Sequence, residues 1–225
     1  MKNIVVLTGA GMSAESGINT FRDADGLWEG HDIMEVASPI GWQNNQELVL
    51  DFYNKRRQQL HTVVPNQAHI DLVALEQQYK VTIITQNVDD LHERAGSNHV
   101  VHLHGELLKV RSQHDEHEVL EWTDDLHTGD YCKYNTQLRP HIVWFGEDVP
   151  MMETAITYTE QADILLIIGT SMQVYPAAGL VQYTQPNIPI YFIDPNPAIN
   201  PSNNLTILAE KATSGVAKVV KELLE

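Results

Sequence analysis

The chain reads Gly9-Ala10-Gly11-Met12-Ser13-Ala14-Glu15-Ser16-Gly17-Ile18-Asn19-Thr20-Phe21-Arg22 directly after an apolar run, Ile4-Val5-Val6-Leu7. The apolar run predicts a short buried strand, and the glycines predict a tight turn into a helix. A strand that turns on glycines into a helix directs backbone N–H groups at an anion, typically the pyrophosphate of a dinucleotide. The pattern is only a GxGxxA variant, and such matches often arise by chance. The segments that follow it therefore decide its meaning.

Apolar runs alternate with helical patterns along the rest of the chain. Strands are expected near residues 3–8, 81–85, 163–169 and 189–193, and helices near 66–79, 150–160, 176–184 and 212–224. Continuous apolar strands separated by amphipathic helices are typical of a parallel sheet with right-handed crossovers. The sequence therefore predicts an α/β fold with a Rossmann-like, doubly wound parallel sheet.

Two segments interrupt this alternation. Residues 28–60 have an all-helical pattern, and residues 106–138 are polar with short strand-like pieces. We expect both to pack together as a second, smaller inserted domain, made of a helical module and a degenerate zinc-ribbon-like module. The Rossmann-like dinucleotide-binding domain then comprises 1–27, 61–105 and 139–225. Ligands of open α/β sheets bind at the carboxyl ends of the strands, so we expect the site in the cleft between the two domains.

The glycine turn does not continue as it does in a dehydrogenase. In that class a second strand ends in an acidic residue about 20 residues after the glycines and binds the ribose. Here residues 17–26 are rich in turn formers and contain no second apolar run, so Asp23 and Asp25 are poor candidates for that acid. The segment is better explained as a loop over the cofactor.

The composition narrows the class of protein. With 225 residues the chain is long enough for one Rossmann-sized domain and a small extra module. A formal net charge of -16 argues against binding to nucleic acid. A single cysteine, Cys132, excludes an intrachain disulfide. No signal peptide or membrane-spanning segment is visible, so we expect a cytoplasmic protein, without a membrane or nucleic-acid partner and monomeric.

Three later segments extend the pattern. They are Thr85-Gln86-Asn87-Val88-Asp89-Asp90-Leu91-His92-Glu93-Arg94-Ala95-Gly96, His102-Leu103-His104-Gly105-Glu106 and Gly169-Thr170-Ser171. Together with the glycine segment, and in this order, they resemble the sirtuin family of NAD-dependent protein-lysine deacylases. The resemblance covers nearly the whole chain, and it implies that NAD is a co-substrate that the reaction consumes.

The resemblance also implies which residues contact NAD. Amide and hydroxyl side chains at strand ends suit ribose contacts, although Asn87, Asp89, Thr170 and Ser171 are equally suited to capping helices. Many sirtuins carry asparagine where this chain has Asp194. The implied cofactor-binding residues are Gly9, Ala10, Gly11, Ser13, Ile18, Phe21, Arg22, Gln86, Asn87, Asp89, Gly169, Thr170, Ser171, Asp194 and Ala212.

His104 is the candidate catalytic residue. A histidine titrates near neutral pH and can take a proton from a sugar hydroxyl. Spacing alone leaves a structural role open for both His102 and His104. The resemblance implies that the general base is the histidine directly before glycine, which is His104.

A Tyr-x-x-Arg pair, Tyr53 and Arg56, lies on a predicted helix over 47–60. Residues three apart share a helix face, and an arginine fork beside a phenol can hold a carboxylate, although a solvated basic helix end has the same pattern. The pair resembles that of class III sirtuins, which implies removal of succinyl or malonyl groups, with some deacetylation. Ala37 is implied to leave room for the acyl group. The extended Val143, Trp144, Phe145 and Gly146 are implied to pair with the acyl-lysine peptide, or else form an ordinary core strand.

The metal of most sirtuins, a structural zinc on four cysteines, is not expected here, because Cys132 is the sole cysteine. A substitute set of metal ligands from His114, His117, His127 and Cys132 stays open, but the acidic residues among them favour a solvated loop.

Three other functions also stay open: an NAD-dependent oxidoreductase, a mono-ADP-ribosyltransferase and an NAD-sensing module without catalysis. A deacetylase without preference for acidic acyl groups is a further alternative.

Overall fold

The computed structural model describes residues 1–19, 27–197 and 199–225. The predicted contacts of Phe21 and Arg22 lie outside these residues. The strands are β1 (Asn3–Thr8), β2 (Leu27–Trp28), β3 (His31–Asp32), β4 (Lys80–Thr85), β5 (Val100–His102), β6 (Gly105–Ser112), β7 (Val119–Glu121), β8 (Leu138–Ile142), β9 (Ile164–Ile168), β10 (Ile190–Ile193) and β11 (Leu205–Leu208). The helices are α1 (Ile33–Val36), α2 (Pro39–Asn44), α3 (Gln46–Leu60), α4 (Gln67–Leu75), α5 (Leu91–Ala95), α6 (Met152–Glu160) and α7 (Ala212–Leu224). Short 3-10 helices span Ala10–Met12, Ala14–Ser16 and Ala177–Tyr183.

Six of the described strands form one parallel sheet in the order β11-β10-β9-β1-β4-β5. If these six strands are renumbered 1 to 6 in chain order and read from β5 to β11, the order is 3-2-1-4-5-6, which is that of a Rossmann fold. The strand order reverses between β1 and β9, so the crevice for a ligand opens where these two strands end. The predicted doubly wound fold is confirmed.

Alternate residues of β1 point to opposite faces of the sheet, as the period of a strand requires. Ile4 and Val6 belong to a buried cluster with residues of α4 and α7, whereas Val5 and Leu7 belong to a cluster with Phe192 on the other face. Both faces are therefore covered, and the strand is apolar throughout. This double burial holds the carboxyl end of β1, and the glycine loop after it, in a fixed position.

A smaller antiparallel sheet in the order β7-β6-β8 packs with α1, α2 and α3 around a third apolar cluster that includes Tyr53 and Trp144. Strand β8 pairs with β6, although its residues 139–142 follow the segment predicted to form the small domain. The exact division into domains stays a prediction. Among the helices of the described ranges, none has the length and apolarity needed to cross a bilayer.

One local expectation was wrong. The region over 28–60 is not all-helical, because β2 and β3 form a short antiparallel pair before the helices. The helix expected near 176–184 is present as a 3-10 helix over Ala177–Tyr183. No strand was expected at β11, which has only four residues and lies at the edge of the sheet.

Candidate active site

The glycine loop after β1 lies directly against the loop after β9. The Gly9 amide donates to the Ile168 carbonyl oxygen at 3.0 Å, and the Gly11 amide donates to that of Gly169 at 2.8 Å. A Cβ on Gly11 would lie 2.6 Å from the Gly169 Cα, and Gly169 itself has a φ of 61°. Only glycines allow two backbones to cross this closely. The glycines thus bring the two loops of the crevice together. The sequence analysis explained these glycines only by the close approach of a phosphate.

A buried polar network lies beside the glycine loop. The Ser13 hydroxyl donates to Asp89 Oδ2 at 2.8 Å, and Asn87 Nδ2 donates to the same hydroxyl at 3.1 Å. Asp89 Oδ1 also accepts from the Leu91 amide at the start of α5. Burial raises the pKa of Asp89, although these hydrogen bonds oppose the shift. The structure therefore joins the predicted residues of two distant segments, and Asp89 also stabilises the start of a helix.

Gln86 connects the network to the β9 side and to His104. Its Nε2 donates to Thr170 Oγ1 at 3.1 Å, and its carbonyl oxygen lies 3.0 Å from His104 Nδ1. A carbonyl can only accept, so Nδ1 carries the proton of the neutral imidazole and Nε2 carries the lone pair. This backbone contact thereby fixes His104 in the tautomer that a general base requires.

The two histidines that spacing could not separate have different surroundings. His102 Nε2 lies 2.7 Å from Glu93 Oε1, and its Nδ1 lies 3.2 Å from the Asn87 carbonyl oxygen. Burial alone would lower the pKa of His102, but the hydrogen bond and charge of Glu93 raise it overall. For His104, burial lowers the pKa and only the Gln86 carbonyl opposes the shift. His102 is thus engaged through both nitrogens, whereas His104 keeps Nε2 as an acceptor.

The segment after β8 connects His104 to the small domain. The Val143 amide donates to the His104 carbonyl oxygen at 2.9 Å, and the Phe145 amide donates to the Ala37 carbonyl oxygen at 3.0 Å. Trp144 is buried, whereas Phe145 is exposed and Gly146 has a φ of 92°. Val143 and Trp144 therefore link the candidate base to the candidate acyl pocket. The expectation that the whole segment is extended was wrong, because Phe145 and Gly146 form a turn that the Glu147 amide closes on the Trp144 carbonyl at 3.0 Å.

Tyr53 and Arg56 lie on α3, as predicted, and their side chains differ in how deeply they are buried. The Tyr53 side chain is fully buried, and its oxygen accepts from the Trp144 indole N–H at 3.0 Å. Burial raises the pKa of Tyr53, so the phenol stays neutral and keeps its proton as a donor. The Arg56 guanidinium stacks on Phe52 with its Cζ 3.7 Å from the ring centre, and one of its nitrogens donates to the Phe52 carbonyl.

The remaining predicted cofactor-binding residues lie in the glycine loop, in the loops after β9 and β10 and at the start of α7. The Ile18 amide donates to the Ser13 carbonyl at 3.4 Å. Ser171 follows Thr170 in the loop after β9 and is partly buried. Asp194 follows β10, where its Oδ1 accepts from the Asn196 amide, and Ala212 is the first residue of α7. Ala10 begins the 3-10 helix of the glycine loop.

Sequence reasoning missed three acidic residues near the site. Glu15 accepts from both the amide and the hydroxyl of Thr213, and so joins the glycine loop to the start of α7. Glu147 accepts from Arg139 and holds the Trp144 amide. Glu29 lies 3.7 Å from Arg56. The contacts of Glu15 and Glu29 join distant segments, so the sequence carried no local signal for them. Those of Glu147 are local, with Arg139 eight residues and Trp144 three residues before it.

The strand order, the glycine crossing and the polar network define a dinucleotide-binding protein with a histidine at the edge of its crevice. The profile of the Sir2 family matches residues 9–176. The chain is 57% identical to an NAD-dependent protein deacylase of Helicobacter pylori, over 100% of this chain and 99% of that protein. It is 53% identical to an NAD-dependent protein deacylase of Bacteroides thetaiotaomicron, over 100% and 98% of the two chains. The chain belongs to the Sir2 family.

Solved structures agree with this membership. A Sir2 homologue in complex with NAD has a TM-score of 0.89 and 37% identity, covering 99% of this chain and 90% of that chain. A mutant Sir2 homologue in complex with ADP-ribose has a TM-score of 0.90 and 38% identity, covering 99% and 92%. A third, a Sir2 mutant with deacetylated p53 peptide and 3′-O-acetyl-ADP-ribose, has a TM-score of 0.78 and 28% identity, covering 97% and 92%.

Proposed function

We propose that this chain is an NAD-dependent protein-lysine deacylase that favours succinyl and malonyl groups and also removes acetyl groups. The observation that carries the proposal is the hydrogen bond from His104 Nδ1 to the Gln86 carbonyl, which leaves Nε2 as a base at the crevice. The Helicobacter and Bacteroides relatives, each named as an NAD-dependent protein deacylase, support the class of reaction.

The residues of the crevice fit NAD. The hydroxyls and amides of Ser13, Asn87 and Thr170 suit the ribose hydroxyls. The buried Asp89 suits the amide of nicotinamide as an acceptor. When bound, NAD supplies an electrophilic ribose carbon, from which nicotinamide leaves as the acyl oxygen takes its place.

His104 acts as the general base. Its Nε2 accepts the proton of a ribose hydroxyl, which thereby becomes a nucleophile toward the acyl carbon. Gln86 holds the ring in place through Nδ1, and the partial burial of the site limits competition by water. One water molecule then adds at the acyl carbon and the bond from that carbon to the lysine nitrogen breaks, so that the released products are nicotinamide, the free lysine and O-acyl-ADP-ribose.

The pH dependence of the reaction follows from the surroundings of this base. Because burial lowers the pKa of His104 from 6.5, the ring stays neutral and active to lower pH than an exposed histidine. Activity is lost as pH falls through this lowered pKa, when Nε2 becomes protonated. We expect the acid limb of kcat/KM, measured by nicotinamide release, to have its midpoint below pH 6.5. A midpoint at or above 6.5 would contradict this assignment.

Arg56 and Tyr53 are proposed to read the carboxylate of the acyl group. Arg56 presents a guanidinium on the partly buried face of α3, and the neutral Tyr53 offers a phenolic proton. A charge-assisted pair with a guanidinium is about twice as strong as a neutral hydrogen bond, so an acidic acyl group gains more here than an acetyl group. The linker of Val143, Trp144, Phe145 and Gly146 is proposed to hold the peptide backbone beside this pocket.

Replacement of Arg56 by methionine tests the acyl pocket. We expect Arg56→Met to lower kcat/KM for a succinyl-lysine peptide by about 10- to 100-fold, because a charge-assisted hydrogen bond is lost, and to change acetyl turnover little. The measurement compares succinyl and acetyl peptides of one sequence. Lys55→Met is the matched control, since Lys55 is an exposed neighbour that pairs with Asp51. Full succinyl turnover in Arg56→Met would show that the pocket is assigned wrongly.

The small domain is proposed to fold without the family's structural zinc. Among residues 1–19, 27–197 and 199–225, no group of three or more potential ligand side chains comes together. The lone thiol, Cys132, is in hydrogen-bond contact with Ser112 at 3.2 Å and Thr136 at 2.9 Å, so hydroxyls surround it rather than further thiolates. These residues do not fit a tetrahedral zinc site.

Metal analysis of the purified protein tests this proposal. We expect much less than one equivalent of zinc per chain, and we expect the melting temperature and the deacylase rate to be unchanged after treatment with EDTA. One equivalent of zinc, together with loss of stability on chelation, would overturn the proposal.

The protein partners are proposed to be acyl-lysine-bearing proteins. The strongly acidic chain, with a net charge of -16, suits basic, lysine-rich segments of such partners. A cytoplasmic location and a monomeric state are proposed from the same composition.

A further inference from the structure

Glu29 is an internal carboxylate at the entrance to the proposed acyl pocket. It lies in the turn between β2 and β3, and its φ of 51° is unusual for a residue other than glycine. Asn19 Nδ2 donates to its Oε1 at 3.1 Å, and its Oε2 lies 3.7 Å from an Arg56 terminal nitrogen. The turn therefore points a carboxylate at the guanidinium that is proposed to read the substrate.

The hairpin that carries Glu29 is held against α3. The Trp28 ring lies edge-on to Phe52 at 5.0 Å and to Tyr53 at 6.2 Å, and His31 lies 5.7 Å from Phe52. Aromatic contacts on both sides of the turn fix its backbone, while Glu29 itself is only partly buried. The Glu29 side chain can thus move without displacement of the hairpin.

Arg56 is incompletely satisfied in this arrangement. Its side chain is only 14% exposed, and its Nε is buried without a hydrogen-bond partner. The contact with Glu29, at 3.7 Å, is longer than a charge-assisted hydrogen bond of about 2.7–2.9 Å. A carboxylate that bound Nε and the adjacent terminal nitrogen together would satisfy the fork better than Glu29 does.

We propose that Glu29 determines acyl specificity by acting as an exchangeable counter-ion of Arg56. It pairs with the guanidinium when the acyl group is uncharged, and it is displaced when the acyl group carries its own carboxylate. The inference rests on the proposed role of Arg56. An acetyl group leaves the guanidinium without a carboxylate from the substrate, and a poorly solvated, unpaired charge is costly. Glu29 removes this cost, so one pocket accepts both acyl classes. An acidic acyl group must instead compete with Glu29, whose like charge weakens its binding.

The test is the ratio of kcat/KM for succinyl to acetyl peptides of one sequence. Glu29→Gln keeps the size of the side chain and an oxygen acceptor for Asn19, but it removes the charge. We expect this variant to raise the ratio about tenfold, through a lower KM for the succinyl peptide and a lower kcat/KM for the acetyl peptide. Glu35→Gln, at an exposed acid in α1, is the matched control and should leave the ratio unchanged.

The outcomes separate this inference from the proposed function. If Arg56→Met lowers the ratio but Glu29→Gln leaves it unchanged or lowers it, the counter-ion role is wrong and the pocket stands. If Arg56→Met leaves the ratio unchanged, the pocket itself is wrong. In the double variant Glu29→Gln/Arg56→Met the effect of Glu29→Gln should disappear, because no guanidinium remains to neutralise. An undiminished effect there would also overturn the inference, and melting curves of each variant confirm folding.

Discussion

Replacement of His104 by asparagine is expected to lower kcat for a succinyl-lysine peptide by about 10²- to 10⁴-fold, the usual contribution of a positioned general base. The asparagine amide can still donate to the Gln86 carbonyl, so the local hydrogen bond is kept while the basic Nε2 is lost. His104→Phe removes both features and should be at least as slow. Rates are measured by nicotinamide release together with mass spectrometry of the peptide.

A matched variant separates loss of the base from a general effect of histidine replacement. His99 is exposed beside the start of β5, where its ring lies 4.9 Å from that of Tyr158. His99→Asn should keep the wild-type rate, and all variants should keep the wild-type far-UV circular dichroism. Wild-type turnover by His104→Asn would mean that another group takes the proton.

Replacement of Glu147 by alanine is expected to lower the free energy of unfolding by about 3–5 kcal/mol, because it leaves the buried guanidinium of Arg139 without a carboxylate to balance its charge. Glu147 Oε1 lies 2.6 Å from Arg139, and Arg111 lies 3.2 Å from both carboxylate oxygens. Arg139 also stacks on Trp144 with its Cζ 3.3 Å from the ring centre. We further expect a higher KM for the peptide, because the Trp144 amide loses its acceptor.

Urea unfolding at neutral pH measures this loss. Burial alone would raise the pKa of Glu147, but its contacts with Arg139 lower it overall. The stabilisation is therefore present above the ordinary carboxyl pKa of about 4.5 and is lost as pH falls through the lower value of the folded state. Glu153→Ala, at an exposed acid in α6, is the control and should change stability by less than about 0.5 kcal/mol. Equal stability of Glu147→Ala and wild type would show that Glu147 does not hold this cluster.

The central sheet could be predicted because its strands carry their signal locally. Strands β1, β4, β9 and β10 carry buried apolar side chains on both faces, so their composition alone locates them. The glycine loop could be predicted for the same reason. The edge strand β11 could not, because a run of four residues with three apolar side chains is too short to separate a strand from other local structure.

The candidate site was only partly accessible from the sequence. Which of His102 and His104 keeps a nitrogen as an acceptor depends on contacts with Glu93 and with the backbone of Gln86, and neither contact follows from spacing. The role of Gly11 against Gly169 is likewise a contact between segments more than 150 residues apart. The Sir2 resemblance supplied the assignment that spacing left open.

The most direct test of the account is the balance of products from NAD and a succinyl-lysine peptide. Mass spectrometry of the wild-type reaction should give nicotinamide, free lysine peptide and O-succinyl-ADP-ribose in equal amounts, and all three should fall together in His104→Asn. ADP-ribose attached to protein, with the succinyl group still on the lysine, would contradict the account and favour an ADP-ribosyltransferase.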